Sequence, residues 1–277
     1  MAKRSWVAAA IVLGVGAARC LYPYVDPLTG GGTGPSDASV DAPKEAAAEG
    51  GTDGGSGRYC ASLLPAPGFC DDFDDQGSFV PKWDSVYTRA GGSVARDGTD
   101  FRSSPNSLLT ISPPANGPSS ATLNHASVGS KGKVRVAYDI KVEARDTKSV
   151  YAEIDYIHFD GPGFSFATYF RLNTDANNAT QLAAEAYLAD GGIPAHNLTL
   201  PAARFDKWTR VAISIDVVST PHVLSVSIDG VAAGSQVLEP NMYGPGPVTV
   251  SPGIGFTASP SATDWRIRYD NLTIDWE

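Results

Sequence analysis

A short segment in the middle of the chain carries side chains that could do general acid–base chemistry. Glu153 and Asp155 are separated by one residue, and His158 follows three positions later. Retaining glycoside hydrolysis needs two carboxyl groups about 5–5.5 Å apart, one to protonate the leaving oxygen and one to attack. If the segment is a strand, both acids share its solvated face, an arrangement that is also common without any activity. Since His158 cannot be assumed to donate the proton, the sequence predicts no catalytic residue.

Other catalytic chemistry and nucleic-acid binding find no support in the sequence. The chain has no Gly-x-Ser-x-Gly turn, no His-Glu-x-x-His pair and no phosphate-binding glycine loop followed by lysine. Its formal net charge is −9, from 21 Lys and Arg against 30 Asp and Glu. Affinity for phosphates requires clustered basic residues, so we expect no nucleic-acid partner.

The elements that must hold the acids are predicted to be strands. Among 277 residues there are 29 glycines and 20 prolines, which favours frequent turns. Apolar and polar residues alternate in GKVRVAYDIKVEA, KWTRVAISIDVV and HVLSVSIDG, and Asp229-Gly230 favours a tight hairpin. NATQLAAEAYLADGG has helical propensity, but it also alternates and lies among strands, so we predict a strand there. The expected fold is all-β, a sandwich of two antiparallel sheets.

Three regions follow from composition. Residues 1–19 place Lys3 and Arg4 before an apolar run, the order typical of a secretory signal peptide. Residues 20–57 are rich in Gly, Ala and Asp and are predicted to be a flexible tether. Residues 58–277 form the predicted sandwich domain.

The three cysteines of an exported chain have different expected fates. Cys60 and Cys70 are closely spaced at the entrance to the domain, and a disulfide between them is expected. Cys20 is then left over. The leader resembles that of bacterial lipoproteins, in which the cysteine after the apolar run receives a lipid, so the resemblance implies lipidation of Cys20. The alternative is ordinary cleavage after Ala17, which leaves no lipid anchor.

The order of motifs resembles the concanavalin A-like jelly-roll superfamily, in particular the laminin G-like domains of bacterial surface lipoproteins. The motifs are FCDDFDD, NSLL, AYDIKV, WTRVAISID with LSVSIDG, and the terminal RYDNLTID. The resemblance implies two curved antiparallel sheets, with glycan binding on the concave face in many members and cleavage of polysaccharides in others. Jelly-roll glucanases carry Glu-x-Asp-x-x-Glu, in which Glu153 and Asp155 match and His158 replaces the last glutamate.

Polar side chains of the middle strands are expected to line the concave face. Aromatic rings can contact the faces of sugars and acids can accept from their hydroxyls. The alternative is that these are ordinary solvated sheet residues. The candidate ligand-binding residues are Glu153, Asp155, Tyr169, Arg171, Glu185 and Tyr187.

A calcium site is a further hypothesis. Hard cations need several oxygen ligands, and Asp72 lies in an aspartate-rich segment that could adjoin Asp270 on the last strand. The alternative is that clustered aspartates simply shape a turn.

Taken together, the sequence predicts an exported protein of the cell envelope, anchored by a lipid at the outer membrane or cell surface and otherwise secreted. Its jelly-roll domain is expected to bind an extracellular polysaccharide or another envelope component, with the membrane reached only through the lipid. Two alternatives stay open. One is a polysaccharide hydrolase or lyase of the same fold, and the other is a structural envelope protein without a small ligand.

Overall fold

The computed structural model describes residues 59–146, 151–161, 164–173, 180–187, 195–200, 205–258 and 261–277. The predicted leader and tether, including Cys20, lie outside the described residues. The described elements are α1 (Tyr59–Ser62), β1 (Phe69–Asp71), β2 (Ser85–Arg89), β3 (Ser93–Asp97), β4 (Ser107–Ser112), β5 (Ser120–Ala126), β6 (Lys133–Ala144), β7 (Tyr151–Gly161), β8 (Phe164–Asn173), β9 (Thr180–Tyr187), β10 (Ala195–Leu200), β11 (Thr209–Asp216), β12 (His222–Ile228), β13 (Val231–Leu238), β14 (Val248–Thr257) and β15 (Trp265–Trp276).

The strands form two antiparallel sheets. Sheet A has the order β13-β12-β11-β6-β15-β4-β3, and β1 pairs with β15. Sheet B has the order β10-β9-β8-β7-β14-β5-β2. The prediction of an all-β, two-sheet jelly-roll sandwich is confirmed.

The core lies between the two sheets because alternate residues of each strand point inward. In sheet A, Val136, Tyr138 and Ile140 of β6 are buried, and in sheet B, Phe166 and Phe170 of β8 are buried. Full burial of such a side chain contributes about 1.5–3 kcal/mol. The intervening residues of each strand form the outer faces of the sandwich.

Two local predictions are confirmed. The segment with helical propensity is strand β9, whose Leu182 and Ala184 join the core while Ala183 and Glu185 face outward. Burial against the other sheet therefore overrides local propensity. Asp229-Gly230 forms the two-residue turn between β12 and β13, with φ of 50° and 75° at the two positions, the left-handed conformation that this hairpin requires.

The described chain begins against sheet A. Cys60 and Cys70 form the expected disulfide, with Cα atoms 5.7 Å apart. The guanidinium of Arg210 on β11 donates a 2.7 Å hydrogen bond to the hydroxyl of Tyr59 and lies over its ring. Within the described part of the chain, no helix is long and apolar enough to cross a membrane.

Candidate functional site

Four of the six predicted ligand-binding residues lie together on the outer face of sheet B. Glu153 of β7 is directly opposite Arg171 of β8, and Ala167 of β8 is opposite Glu185 of β9. Tyr169 is two residues before Arg171 and therefore shares its face. The three neighbouring strands thus bring Glu153, Tyr169, Arg171 and Glu185 within reach of one another, as the alternation predicts.

Arg171 is at the centre of this group and contacts both acids. Its Nη2 lies 3.2 Å from Oε1 of Glu153 and 3.6 Å from Oε1 of Glu185. The same nitrogen donates a 2.9 Å hydrogen bond to the hydroxyl of Tyr169. The three charged side chains are 13–24% exposed, so they are shielded from water but still reach the surface. The group as a whole carries more negative than positive charge.

Two tyrosines cover the group from β7 and β8. The rings of Tyr156 and Tyr169 are stacked, with centroids 4.8 Å apart. The Tyr156 hydroxyl donates a hydrogen bond to Oε2 of Glu153. Tyr169 is only 1% exposed and packs with Ala167 and Ala183 in a small apolar cluster beneath Tyr156. Tyr156 is only partly buried, so its ring is one that a ligand could touch, and the sequence prediction did not include it.

A glycine on the neighbouring strand makes room for the Tyr156 ring. A Cβ atom added at Gly255 of β14 would lie 2.3 Å from Cε2 of Tyr156. The ring can occupy this position only because residue 255 has no side chain. Strands β7, β8, β9 and β14 therefore all contribute to the site.

Burial changes the proton affinity of two groups in the site. It raises the pKa of the Glu153 carboxyl, although hydrogen bonds from Tyr156 and Arg171 act in the opposite direction. Burial also raises the pKa of Tyr169, and the charge of Glu153 adds to this effect. Tyr169 therefore stays protonated in the physiological range and is a hydrogen-bond donor.

Asp155 is not on this face, and the prediction that it lies beside Glu153 is wrong. A β-bulge shifts the register between Ile154 and Ile157, and Asp155 has a φ of 59°. Its carboxylate points into the core, where it is 3% exposed. The irregularity turns Tyr156 outward at the position where strict alternation would place an apolar side chain.

Buried donors explain the inward position of Asp155. Its Oδ2 accepts a 2.7 Å hydrogen bond from the hydroxyl of Tyr138 on sheet A. Its Oδ1 accepts a 3.3 Å hydrogen bond from the backbone N–H of Gly253 on β14. Burial raises the pKa of Asp155 to about 7, while the nearby hydroxyls of Tyr269 and Tyr138 and the backbone N–H of Gly253 partly oppose this rise.

The remaining predicted residues are placed as follows. Tyr187 is the last residue of β9 and pairs with Ser165, but its side chain lies outside the described part. His158 faces outward on β7, with Nε2 2.6 Å from the hydroxyl of Ser165 and 3.6 Å from Asp160.

The two aspartates of the calcium hypothesis accept hydrogen bonds from other groups of the protein. Asp72 accepts a hydrogen bond from the backbone N–H of Cys60. Asp270 accepts hydrogen bonds from the backbone N–H groups of Arg102, Ser103 and Asn271 and from the Ser103 hydroxyl. Among the described residues, no group of three or more His, Cys, Asp or Glu side chains could hold a metal ion.

Comparison with known proteins identifies the fold. No protein-family model matches the chain, and no curated protein matches it. The chain is similar to an endo-β-1,4-glucuronan lyase from the fungus Trichoderma reesei, with a TM-score of 0.58 and 14% identity over 76% of this chain and 95% of that chain. It is also similar to a glycoside hydrolase family 16 endo-glucanase from Bacteroides ovatus, with a TM-score of 0.51 and 13% identity over 74% of this chain and 99% of that chain. At these identities the likeness concerns the fold alone: the chain has the concanavalin A-like jelly-roll fold of these lyases and glycoside hydrolases.

Proposed function

We propose that the protein binds an extracellular polysaccharide on the outer face of sheet B and does not cleave it. The observation that carries this proposal is the Tyr156 ring, which stacks on Tyr169 and donates a hydrogen bond to Glu153, the carboxylate that Arg171 contacts. A partly exposed ring beside hydrogen-bonding carboxylates offers the two contacts that a sugar uses, one for its apolar face and one for its hydroxyls. The solved lyase and endo-glucanase of the same fold act on polysaccharides, which supports this class of ligand.

We also propose that the protein is displayed at the cell envelope by a lipid on Cys20. The sequence supports this, because an apolar run precedes Cys20 and residues 20–57 have the composition of a flexible tether. Such a tether would let the domain stand away from the membrane.

Affinity electrophoresis tests the proposed binding. The purified protein is run through gels that contain one soluble polysaccharide each, and a retarded band reports binding. We expect Tyr156→Ala to lower the affinity about tenfold, which corresponds to about 1.4 kcal/mol. Phe101→Ala is the matched control, because Phe101 is 38% exposed in the loop between β3 and β4 of sheet A. Equal retardation of both variants, or no retardation of the wild type, would contradict the proposal.

Cleavage is the second candidate function, and one distance favours it. Because Glu153 and Glu185 both contact Nη2 of Arg171, their Oε1 atoms are at most about 7 Å apart, a range that includes the separation of a retaining pair. However, Arg171 itself occupies the space between the two carboxylates where a glycosidic oxygen would have to lie.

An assay for new ends of the polysaccharide distinguishes binding from cleavage. A hydrolase produces reducing ends, and a lyase produces unsaturated ends that absorb ultraviolet light. We expect neither product from any polysaccharide that is retarded in the gel. Turnover by the wild type that is lost in Glu153→Gln and Glu185→Gln would establish the second function instead. Absence of both binding and turnover would favour a structural envelope protein.

A further inference from the structure

The strands that form the candidate site contain very few basic residues. Arg171 is the single Lys or Arg in β5, β7, β8, β9, β10 and β14, which are six of the seven strands of sheet B. Arg89 is on the remaining strand, β2, at the edge of the sheet. The outer faces of the same six strands carry three acids, Glu153, Asp160 and Glu185. The strands therefore present a surface with a net negative charge.

The one central cation is already neutralised. Arg171 lies within 3.6 Å of the carboxylates of both Glu153 and Glu185, and Tyr169 accepts a further hydrogen bond from it. A carboxylate on a ligand would have to replace one of these partners to pair with Arg171. The displaced glutamate would then remain beside the ligand as a second negative charge.

Several neighbouring outward side chains are polar and uncharged. Thr249 and Ser251 of β14 are opposite His158 and Tyr156 of β7. Asn124 lies on the adjoining strand β5, and Gln181 of β9 is opposite Arg171. Hydroxyl and amide groups of this kind exchange hydrogen bonds with sugar hydroxyls and leave no charge without a partner.

From this distribution of charge we infer that the site on sheet B recognises neutral polysaccharides and discriminates against polyuronates. The inference rests on the proposed function and specifies its class of ligand. A polyuronate carries one carboxylate per sugar, and several of these would lie within about 8 Å of the acids of the site, where physiological salt screens charges only in part. A neutral glycan meets the same acids as hydrogen-bond acceptors.

Matched pairs of ligands test the inference directly. Each neutral glucan of the gel panel is compared with its C6-oxidised derivative, in which the CH₂OH group of a sugar is replaced by a carboxylate. We expect the wild type to bind the neutral member at least about tenfold more tightly at physiological salt. The preference should decrease as salt is added, because repulsion between charges is screened.

Substitution of one acid tests whether the carboxylates around Arg171 cause the preference for neutral glucans. Glu185→Gln leaves Arg171 with a single carboxylate partner. We expect it to lower the ratio of the affinity for the neutral glucan to that for the oxidised glucan several-fold. Asp264→Asn is the control, because it removes the same charge from the surface pair with Arg266 at the start of β15. It should leave the preference unchanged.

The results of these experiments test the preference for neutral glucans separately from polysaccharide binding itself. If the oxidised glucan binds as tightly as the neutral one or more tightly, the inference is wrong and polysaccharide binding stands. The inference is also wrong if Glu185→Gln and Asp264→Asn have the same effect on the preference. If no member of any pair binds, the proposed function itself fails.

Discussion

The side chains of Tyr138 and Asp155 join the two sheets through the centre of the core. Tyr138 belongs to β6 of sheet A and Asp155 to β7 of sheet B, and the hydroxyl donates to the carboxylate over 2.7 Å. Both residues are almost fully buried. Since the bulge that turns Asp155 inward also turns Tyr156 outward, this internal contact helps to position the ring at the candidate site.

The buried carboxyl of Asp155 is expected to make stability depend on pH. Burial raises its pKa to about 7 in the folded protein, whereas an unfolded chain has a value of about 3.9. The folded protein therefore binds this proton more tightly than the unfolded chain. The stabilisation is complete below about pH 4 and is lost as the pH rises to about 7.

Asp155→Asn isolates this effect, because the amide resembles the protonated acid and cannot ionise. Urea unfolding of both proteins at pH 5 and pH 8 gives the difference in their free energies of unfolding. We expect the wild type to lose about 2–3 kcal/mol relative to the variant between the two pH values. Asp270, whose pKa burial also raises to about 7, is present in both proteins and cancels in the difference. A difference that does not change with pH would contradict the prediction.

Gly255→Ala should weaken polysaccharide binding without removing any group that contacts the ligand. The new Cβ would overlap the ring of Tyr156, which must then leave its position above β14. We expect a loss of affinity of about tenfold in affinity electrophoresis. Gly117→Ala is the control, since no heavy atom lies within 4 Å of the Cβ that it would add. Unchanged affinity in Gly255→Ala would show that the position of the Tyr156 ring does not affect polysaccharide binding.

The Cys60–Cys70 disulfide is expected to make a moderate contribution to stability. It joins residues 10 positions apart. By loop-closure entropy, a ring of this size stabilises the folded state by about 2–3 kcal/mol. The double variant Cys60→Ser/Cys70→Ser should lose this amount in urea unfolding relative to the oxidised wild type. A loss close to zero, or free alkylation of both thiols in the native exported protein, would contradict the expectation.

Lipidation of Cys20 predicts the cellular distribution of the protein. In cells that process lipoprotein leaders, the wild type should sediment with membranes and incorporate a labelled fatty acid. Cys20→Ala should release the protein and abolish the label, because the domain would have lost its lipid anchor. Soluble wild-type protein whose first residue is Ala18 would instead support ordinary cleavage of the leader.

The sequence was sufficient to predict the sandwich and most of one face of it. Alternation in segments such as GKVRVAYDIKVEA identifies strands because a two-sheet sandwich buries one side of each strand. The same rule correctly placed Glu153, Arg171 and Glu185 outward on three strands. Strand β2 was not predicted, since all five of its residues are exposed and show no alternation.

The bulge in β7 could not be predicted from the neighbouring residues. Asp155 turns inward because its hydrogen-bond donors, Tyr138 and Gly253, are brought to it by two other strands. Such partners are visible only after the sheets have been assembled. The consequence was a double error at the site, in which Asp155 was included and Tyr156 was left out.

Amide hydrogen exchange with and without a bound polysaccharide tests most directly whether the outer face of sheet B is the binding site. The ligand is the neutral polysaccharide that retards the protein most in the gels. We predict slower exchange in peptides that cover β7, β8 and β9, and unchanged exchange in β11 and β12 of sheet A. Protection confined to sheet A, or no protection under conditions in which the polysaccharide is bound, would contradict the proposal.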